Sequence, residues 1–464
     1  MNQRMTAVLL AIAFALSTRA PIEAQTTRIS APERIDLETA IALALQSNLG
    51  IESELVALRQ KRLVADTWWN RFYPNANATY TLQRSNTAQT MAGQELPRWA
   101  MAAGLNLNLD LTLQTFPGYS LAQLDYEMGV LSLEEAKRQV ERDVSKLFYD
   151  LLLTRERMAL VSERIATAQR RYDQARVNFE NGLIDEFSLL SAQVALENQR
   201  PGLTSLRVAY EQQLLAFRNS LGLPLMAPVE PQGAIDPPDL LIRIETGRGT
   251  DSSVSALDQA RLRGRLDVQQ LEMLNTIQKE QIRAGEYSQG GRAPYLRFAF
   301  NYDPTFFGDP WDDDWFDSDL WGQRSGALSV TLVQPLDGWF PYSQRRNETA
   351  RLESELERNR LNIEQALRGA EIRLRGLMLG IESSRQTIRA LEENIALARR
   401  AYELAEIGYD NGLRELLEVQ NAEVDLKDAE FQLLQEKKNI MDSILDLAFE
   451  LNVDVDEITT RSGR

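Results

Sequence analysis

The sequence contains neither cysteine nor histidine. Without cysteine there is no disulfide, no thiolate metal site and no N-terminal cysteine to carry a lipid. Without histidine the chain lacks the commonest metal ligand and the usual proton shuttle at neutral pH. No cofactor or metal is expected, and only carboxylate-based catalysis stays open. A glycine-rich phosphate-binding loop is also missing, so nucleotide hydrolysis is not expected. Long apolar runs are scarce too. The run at residues 5–16 is well short of the ~20 residues that cross a bilayer as a helix. With Arg4 before it and small or polar residues up to Ala24, residues 1–24 read as a secretory signal. Cleavage is expected after Ala24, with Ala20 the competing site. Basic residues are outnumbered, 51 against 67 acidic, for a net charge of -16 and a pI near 4.8. Such a surface repels phosphate backbones, which argues against nucleic acid as a partner.

What the chain does have is an internal repeat. Residues 169–221 align without a gap to residues 399–451. Tyr172 matches Tyr402, Ala175 matches Ala405, Phe179 matches Tyr409, and Asn181-Gly182-Leu183 matches Asn411-Gly412-Leu413. Upstream, Leu113-Gln114 and Gly118 match Val333-Gln334 and Gly338, and residues 48–51 correspond to residues 265–268. Each half therefore predicts one order: helix, strand, strand, very long helix, tight break, second helix. The expected divisions are a first repeat at 25–222 with a β-hairpin near 74–116, and a proline-rich linker at 223–252. A second repeat follows at 253–452 with a hairpin near 294–336, then a polar tail at 453–464. Pro224, Pro228, Pro231, Pro237 and Pro238 rule out a helix across that linker and suggest an irregular belt.

Periodicity sets the helices. Val140, Val144, Leu147, Leu151, Thr154, Met158, Val161, Ile165, Ala168, Tyr172, Ala175 and Phe179 alternate steps of four and three. The series from Ile363 through Leu367, Ala370, Leu374, Leu377 and Ile381 to Tyr409 does the same. A sustained 3.5-residue repeat packs helices into a left-handed supercoil. About sixty residues at 1.5 Å each give a helix of roughly 90 Å. A structural coiled-coil rod shows the same pattern. Each series ends at Asn-Gly-Leu, where Asn and Gly tolerate the left-handed backbone that stops a helix and lets the chain fold back.

Between the helices, Asn106-Leu107-Asn108-Leu109-Asp110-Leu111-Thr112-Leu113 alternates with period two. Residues 77–82 and 295–302 alternate more weakly, and residues 327–333 are rich in β-formers. Alternation of this kind suits a membrane barrel strand, with one face to lipid and one to the lumen, and it also suits an ordinary surface hairpin. Pro74, Pro117, Pro294 and Pro335 stand near the helix–strand junctions. A few strands per chain cannot close a barrel, and an open edge in hydrocarbon costs several kcal/mol per unpaired group. Two chains would supply about eight strands and three about twelve, and only the larger number leaves a conduit. The loop at 303–322, with Asp312-Asp313-Asp314 between Trp311 and Trp315, is an extracellular loop on the barrel reading and has no recognised calcium-ligand spacing.

In Leu37-Glu38, Ala40-Ile41, Leu43-Ala44-Leu45 and Asn48, in residues 257–268, and in the paired motifs Phe179-Glu180-Asn181-Gly182-Leu183 and Tyr409-Asp410-Asn411-Gly412-Leu413, the chain resembles the TolC-like outer-membrane efflux proteins. The resemblance spans residues 35–451. It implies a mainly α protein with a membrane β-barrel, built as a homotrimer with a twelve-stranded barrel over a twelve-helix α-barrel. It implies a passive duct of a tripartite efflux or type I secretion system, not an enzyme, working with a periplasmic adaptor and an inner-membrane pump. The hairpin tips Asn181, Gly182, Leu183, Asn411, Gly412 and Leu413 would then dock the adaptor. Glu418 falls where the family carries an acidic ring at its constriction, while a second acidic position falls on Asn421. Tyr409 and Arg414 match a gate latch whose acidic partner falls on Ser188, a departure for which Asp185 or Glu186 could substitute. The alternatives are a periplasmic coiled-coil or adaptor-like protein without a pore, or a secreted carboxylate enzyme such as a glycosidase. The enzyme needs a compact pocket, for which the heptads leave little chain. The cargo leaves no readable mark.

Overall fold

The computed structural model describes residues 34–86, 90–91, 94–95, 98–240, 262–289, 291–307, 326–411 and 413–460. The expected signal, Gly412, most of the 303–322 loop and the end of the 223–252 linker lie outside the described residues.

After a two-residue strand β1 (Arg34–Ile35), Asp36 caps helix α1 (Leu37–Ser47) by accepting from the Thr39 amide at 2.9 Å. Asn48 then starts helix α2 (Leu49–Asp66), accepting from the amides of Gly50 at 2.8 Å and Ile51 at 3.3 Å. By length and composition the 30 residues of α1 and α2 together could cross a membrane. Asn48 divides them. The 11-residue α1 buries Ala40, Leu43 and Ala44 in the protein core, and α2 carries Glu52, Glu54, Arg59, Lys61, Arg62 and Asp66.

Strand β2 (Asn75–Arg84), the short pair β3 (Thr90–Met91) and β4 (Gln94–Glu95), and β5 (Trp99–Leu111) lead into α3 (Thr115–Glu180), a helix of 66 residues. The chain then turns back through α4 (Glu186–Glu197) and α5 (Arg200–Ser220). The heptads predict one return helix here. Two form because Pro201, in the first turn of α5, has no amide to continue the ladder.

A belt follows: β6 (Glu230–Pro231) pairs parallel with β1, and β7 (Asp239–Leu240) comes next. Beyond it the order is α6 (Leu266–Glu286), β8 (Tyr295–Tyr302), β9 (Thr305–Phe307), β10 (Gly326–Val333), α7 (Gln344–Asp410; 67 residues) and the unbroken α8 (Leu416–Leu451). At 1.5 Å per residue α3 and α7 are each about 100 Å long. Residues 453–460 are less of a tail than their polarity suggests. They form α9 (Val455–Ile458) and β11 (Thr459–Thr460), pair antiparallel with β7, and bury Ile458.

The core sits around this belt. Phe148, Leu151 and Val144 of α3 meet Phe217 of α5, Leu221 just after it, Ile35 and Ile235, while Ala370, Leu374 and Ile381 of α7 meet Ile444 and Leu447 of α8 and Ile458. Each fully buried side chain of this size contributes roughly 1.5–3 kcal/mol. Long-range caps join the ends: Asn48 Nδ2 donates to the Ser220 carbonyl at 2.8 Å, and Arg265 Nη1 to the Glu450 carbonyl at 3.2 Å. Arg265 is itself buried among Asp267, bonded at 2.9 Å, and Glu450, which Arg373 also reaches at 3.0 Å.

Candidate membrane sheet, helical seam and tip

The four long strands lie in the order β10-β8-β5-β2, with β9 beside β8 on β5. Strict alternation separates two faces. One carries the cross-strand rows Ala76–Leu107–Phe300–Leu328, Leu109–Phe298–Val330 and Leu111–Leu296–Leu332. The other carries Asn77–Asn106–Asn301–Ala327, Asn75–Asn108–Ala299–Ser329 and Asp110–Arg297–Thr331. The apolar face is bare: Tyr80 is 78% exposed, Leu328 74%, Leu332 69% and Val330 60%. Among the described residues β2 and β10 pair on one side only, so both outer edges leave a row of backbone groups open. Below the sheet, exposed aromatics collect at the helix–strand junctions: Trp69, Phe72 and Tyr73 before β2, Phe116 after β5, and Trp339, Phe340 and Tyr342 after β10.

Away from the sheet, α3 runs antiparallel to α8 along a seam of polar rungs. Arg171 bonds Asn421, Arg164 pairs with Asp428, Asp150 with Lys438 at 2.6 Å, Lys146 with Asp446 at 2.6 Å, and Arg138 with Asp454 at 3.3 Å. From Arg171–Asn421 to Arg164–Asp428 and on to Lys146–Asp446, each step along α3 is matched by an equal and opposite step along α8, and Arg138 meets Asp454 just beyond the end of α8. The rungs nearest the tip are single. Those nearer the belt are multiple, with Lys438 also held by Asp442 at 2.6 Å and Arg142 stacked on Phe449 at 4.2 Å. Burial alone would lower the Lys438 pKa, but its two carboxylate partners raise it; burial raises that of Asp442 despite Lys438. The rungs have a sequence signal that periodicity of apolar residues passes over: Arg157, Arg164 and Arg171 recur every seven residues, as do Asn421 and Asp428.

At the far end of α3, Asn181 caps the helix, its Nδ2 donating to the Val177 carbonyl at 2.8 Å, and Gly182 takes the left-handed backbone with φ 69°. Leu183, 71% exposed, protrudes with Phe187 at 76%. Asp185 caps α4 by accepting from the Ser188 amide at 3.0 Å, and hydrogen bonds from Ser188 hold its carboxyl below the ordinary value. At the end of α7, Asn411 Nδ2 donates to the Ile407 carbonyl at 2.7 Å, and Leu413 is 81% exposed. Arg414 and Glu418 are brought together, Nη1 to Oε2 at 2.9 Å, with the stem of Arg414 lying over Gly408. Tyr409, in the last turn of α7, is 43% exposed, and no hydrogen bond joins it to Arg414 in the single chain. Ser188 thus serves the α4 cap, and Asp185 is engaged with it. Among the described residues no cluster of acidic side chains is arranged to hold a metal.

Comparison with known proteins fits this geometry. The outer membrane efflux protein profile matches residues 40–223 and 317–452, most of the chain. No curated protein matches. Solved structures share the fold. The Campylobacter jejuni CmeC outer membrane channel superposes with a TM-score of 0.69 at 16% identity, over 91% of this chain and 88% of that one. For the Vibrio cholerae outer membrane protein VceC the values are 0.64 and 15%, over 90% and 97%. For the open state of the Neisseria gonorrhoeae MtrE outer membrane channel they are 0.65 and 16%, over 91% and 90%. A bare-faced sheet of four long strands carried on helices about 100 Å long, together with a profile match over most of its length, places this chain in the outer membrane efflux protein family.

Proposed function

We propose that three copies of this chain close a twelve-stranded barrel in the outer membrane over a twelve-helix tunnel in the periplasm, and that the assembly conducts its cargo passively. On this reading the two halves are copies of one plan, an inner-membrane pump supplies the energy, and a periplasmic adaptor engages the helix tips.

The observation that carries the proposal is the sheet, with its apolar face bare and two open edges. In hydrocarbon each unpaired backbone group costs several kcal/mol, so the sheet is viable in a membrane only when other copies close it. Two chains supply about eight strands, a number whose interior side chains fill; three supply about twelve and leave a passage. The exposed aromatics at the helix–strand junctions suit the girdle that such barrels place at the headgroup level. A periplasmic rod or adaptor would have no use for a bare apolar sheet. The exposed Leu183, Phe187 and Leu413 fit tips Asn181-Gly182-Leu183 and Asn411-Gly412-Leu413 that dock an adaptor. Glu418 is proposed as the constriction ring, and Tyr409 with Arg414 as the latch between copies, with Arg414 shared between Tyr409 and Glu418.

Native mass spectrometry of protein extracted by detergent from purified outer membranes tests the proposal. Three copies, with conductance after reconstitution in planar bilayers, are expected. A monomer released without detergent would remove the barrel and leave the periplasmic coiled-coil reading.

A further inference from the structure

Where the helices pass into strands, the polar face of the sheet ends in a recess lined by Arg71, Asp110, Thr112, Gln114, Gln289 and Arg345. Its one lining carboxylate is already engaged: Arg297 donates to Asp110 Oδ1 at 2.8 Å, and Gln289 to Oδ2 at 2.9 Å. Arg345 is held at the rim, donating to the Gly285 carbonyl at 2.5 Å and to Ser288 Oγ, and pairing with Glu348 at 2.9 Å. Its Nε is buried with no acceptor. Arg71 has no carboxylate partner among the described residues. Its guanidinium rests on the first turn of α3, in space that Gly118 leaves open: a Cβ there would collide with Nη1. The second half seats Arg292 against Gly338 in the same way, with Nε donating to the Gly338 carbonyl at 3.0 Å. There, however, the guanidinium lies over the Trp339 ring.

The recess is therefore a cationic hollow in a chain of net charge -16. Asp110 and Thr112 continue the alternation of Asn106 and Asn108, so it opens on the face with the uncharged rows Asn75–Asn108 and Asn77–Asn106–Asn301. Thr112, Gln114 and Gln289 add neutral donors beside a guanidinium that has no carboxylate partner among the described residues, the combination that favours phosphate or carboxylate oxygens.

We infer that this recess binds a soluble anion bearing a phosphate or carboxylate, one in each protomer. The inference rests on the proposed trimeric channel, in which three such recesses ring the lumen at the passage from tunnel to barrel. The hollow gives the barrel end a preference opposite in sign to an acidic tip, and offers a stepping site for anionic cargo leaving the tunnel.

Single channels in bilayers of zwitterionic lipid, with inorganic phosphate replacing chloride on the barrel side at constant ionic strength, test it. Phosphate should reduce conductance in the parent. Arg71→Gln should weaken that effect tenfold or more, and Arg71→Lys, which keeps the charge, should retain most of it. Equal phosphate sensitivity in parent and Arg71→Gln would overturn the inference while leaving the channel intact. If no channel forms, the proposed function fails, and ³¹P line broadening on the detergent-solubilised protein still reads the recess. Broadening lost in Arg71→Gln supports the site, and none in the parent overturns it. Anionic lipid that copurifies with the parent but not with Arg71→Gln, without any response to free phosphate, would also overturn it, because the recess would then hold a headgroup.

Discussion

Glu418 shows how a single charge takes its meaning from its neighbour. As an isolated carboxylate near the axis it would attract cations; here Arg414 sits 2.9 Å away, and both side chains are about half exposed. An exposed i,i+4 pair is worth a few tenths of a kcal/mol, so Arg414 moderates the field at the tip without fixing the structure. If Glu418 faces the axis, the two residues have opposite signs of effect. Glu418→Ala should lower the cation preference read from reversal potentials in a salt gradient, and Arg414→Ala should raise it. Unchanged reversal potentials in both would return Glu418 to a solvated helix face. A second residue-scale prediction concerns Asp267. Burial would raise its pKa, but the hydrogen bonds and charge of Arg265, with the Val268 amide and Arg373, lower it. A carboxylate with a depressed folded pKa adds stability above its unfolded value, near 4, and loses it as the pH falls through the folded value. Asp267→Asn should therefore lower the melting temperature at pH 7, and the gap to the parent should close below about pH 4. A constant gap down to pH 3 would show that the ion pair is not its source. The helix ends at Asn181 and Asn411 were legible in sequence because capping is local chemistry, whereas the cap at Asn48 was not read there. The Arg414–Glu418 pair was equally local, four residues apart, yet the resemblance directed Arg414 toward Tyr409 instead.

At the scale of elements, the 3.5-residue period gave the C-terminal ends of α3 and α7, since the apolar series stops where Asn-Gly-Leu begins. The series starts only at Val140 and Ile363, well inside helices that begin at Thr115 and Gln344. A heptad says which face is buried but not which helix covers it. That α3 packs along α8, a helix of the other half, follows from the belt and its core, where Phe148 and Leu445 share one cluster. The polar rungs then fix the register. Their gradation suggests how the tip can move: Arg164–Asp428 and Arg171–Asn421 are single rungs, whereas the Lys438 and Asp446 rungs are multiple and backed by the core. Rotation of the α7–α8 hairpin should therefore begin below Lys438. Arg164→Asp should raise the conductance of the closed channel, and the swap Arg164→Asp with Asp428→Arg should restore it toward the parent value. The coupling in melting experiments should be about 0.5–1 kcal/mol, as for a partly exposed pair. Failure of the swap to restore conductance would separate the rungs from gating.

For the whole molecule, the decisive property is one that alternation only half revealed. Residues 106–112 alternate cleanly, but β5 extends back to Trp99 through Ala100, Ala102, Ala103 and Gly104, small residues without contrast, and β2 is nearly as quiet. The registry that joins β5 to β8, and so the two halves into one sheet, is long-range and has no local mark. Once joined, neighbouring residues on one strand lie on opposite faces, which in the proposed barrel meet different solvents. Val330, in the row with Leu109 and Phe298, faces outward 60% exposed, while Ser329 lies in the row with Ala299 and Asn108 on the polar face. A lysine on the lipid face of a barrel strand costs about 2–4 kcal/mol near the middle of the bilayer, and each trimer would incur it three times. Val330→Lys should therefore deplete trimers from the outer-membrane fraction, with helix content by circular dichroism unchanged because the shaft and belt do not depend on β10. Ser329→Lys, one residue away and on the opposite face, should assemble like the parent and alter only ion selectivity. Equal assembly of the two variants would mean that the apolar face does not meet lipid, and with it the argument for a shared barrel would fall.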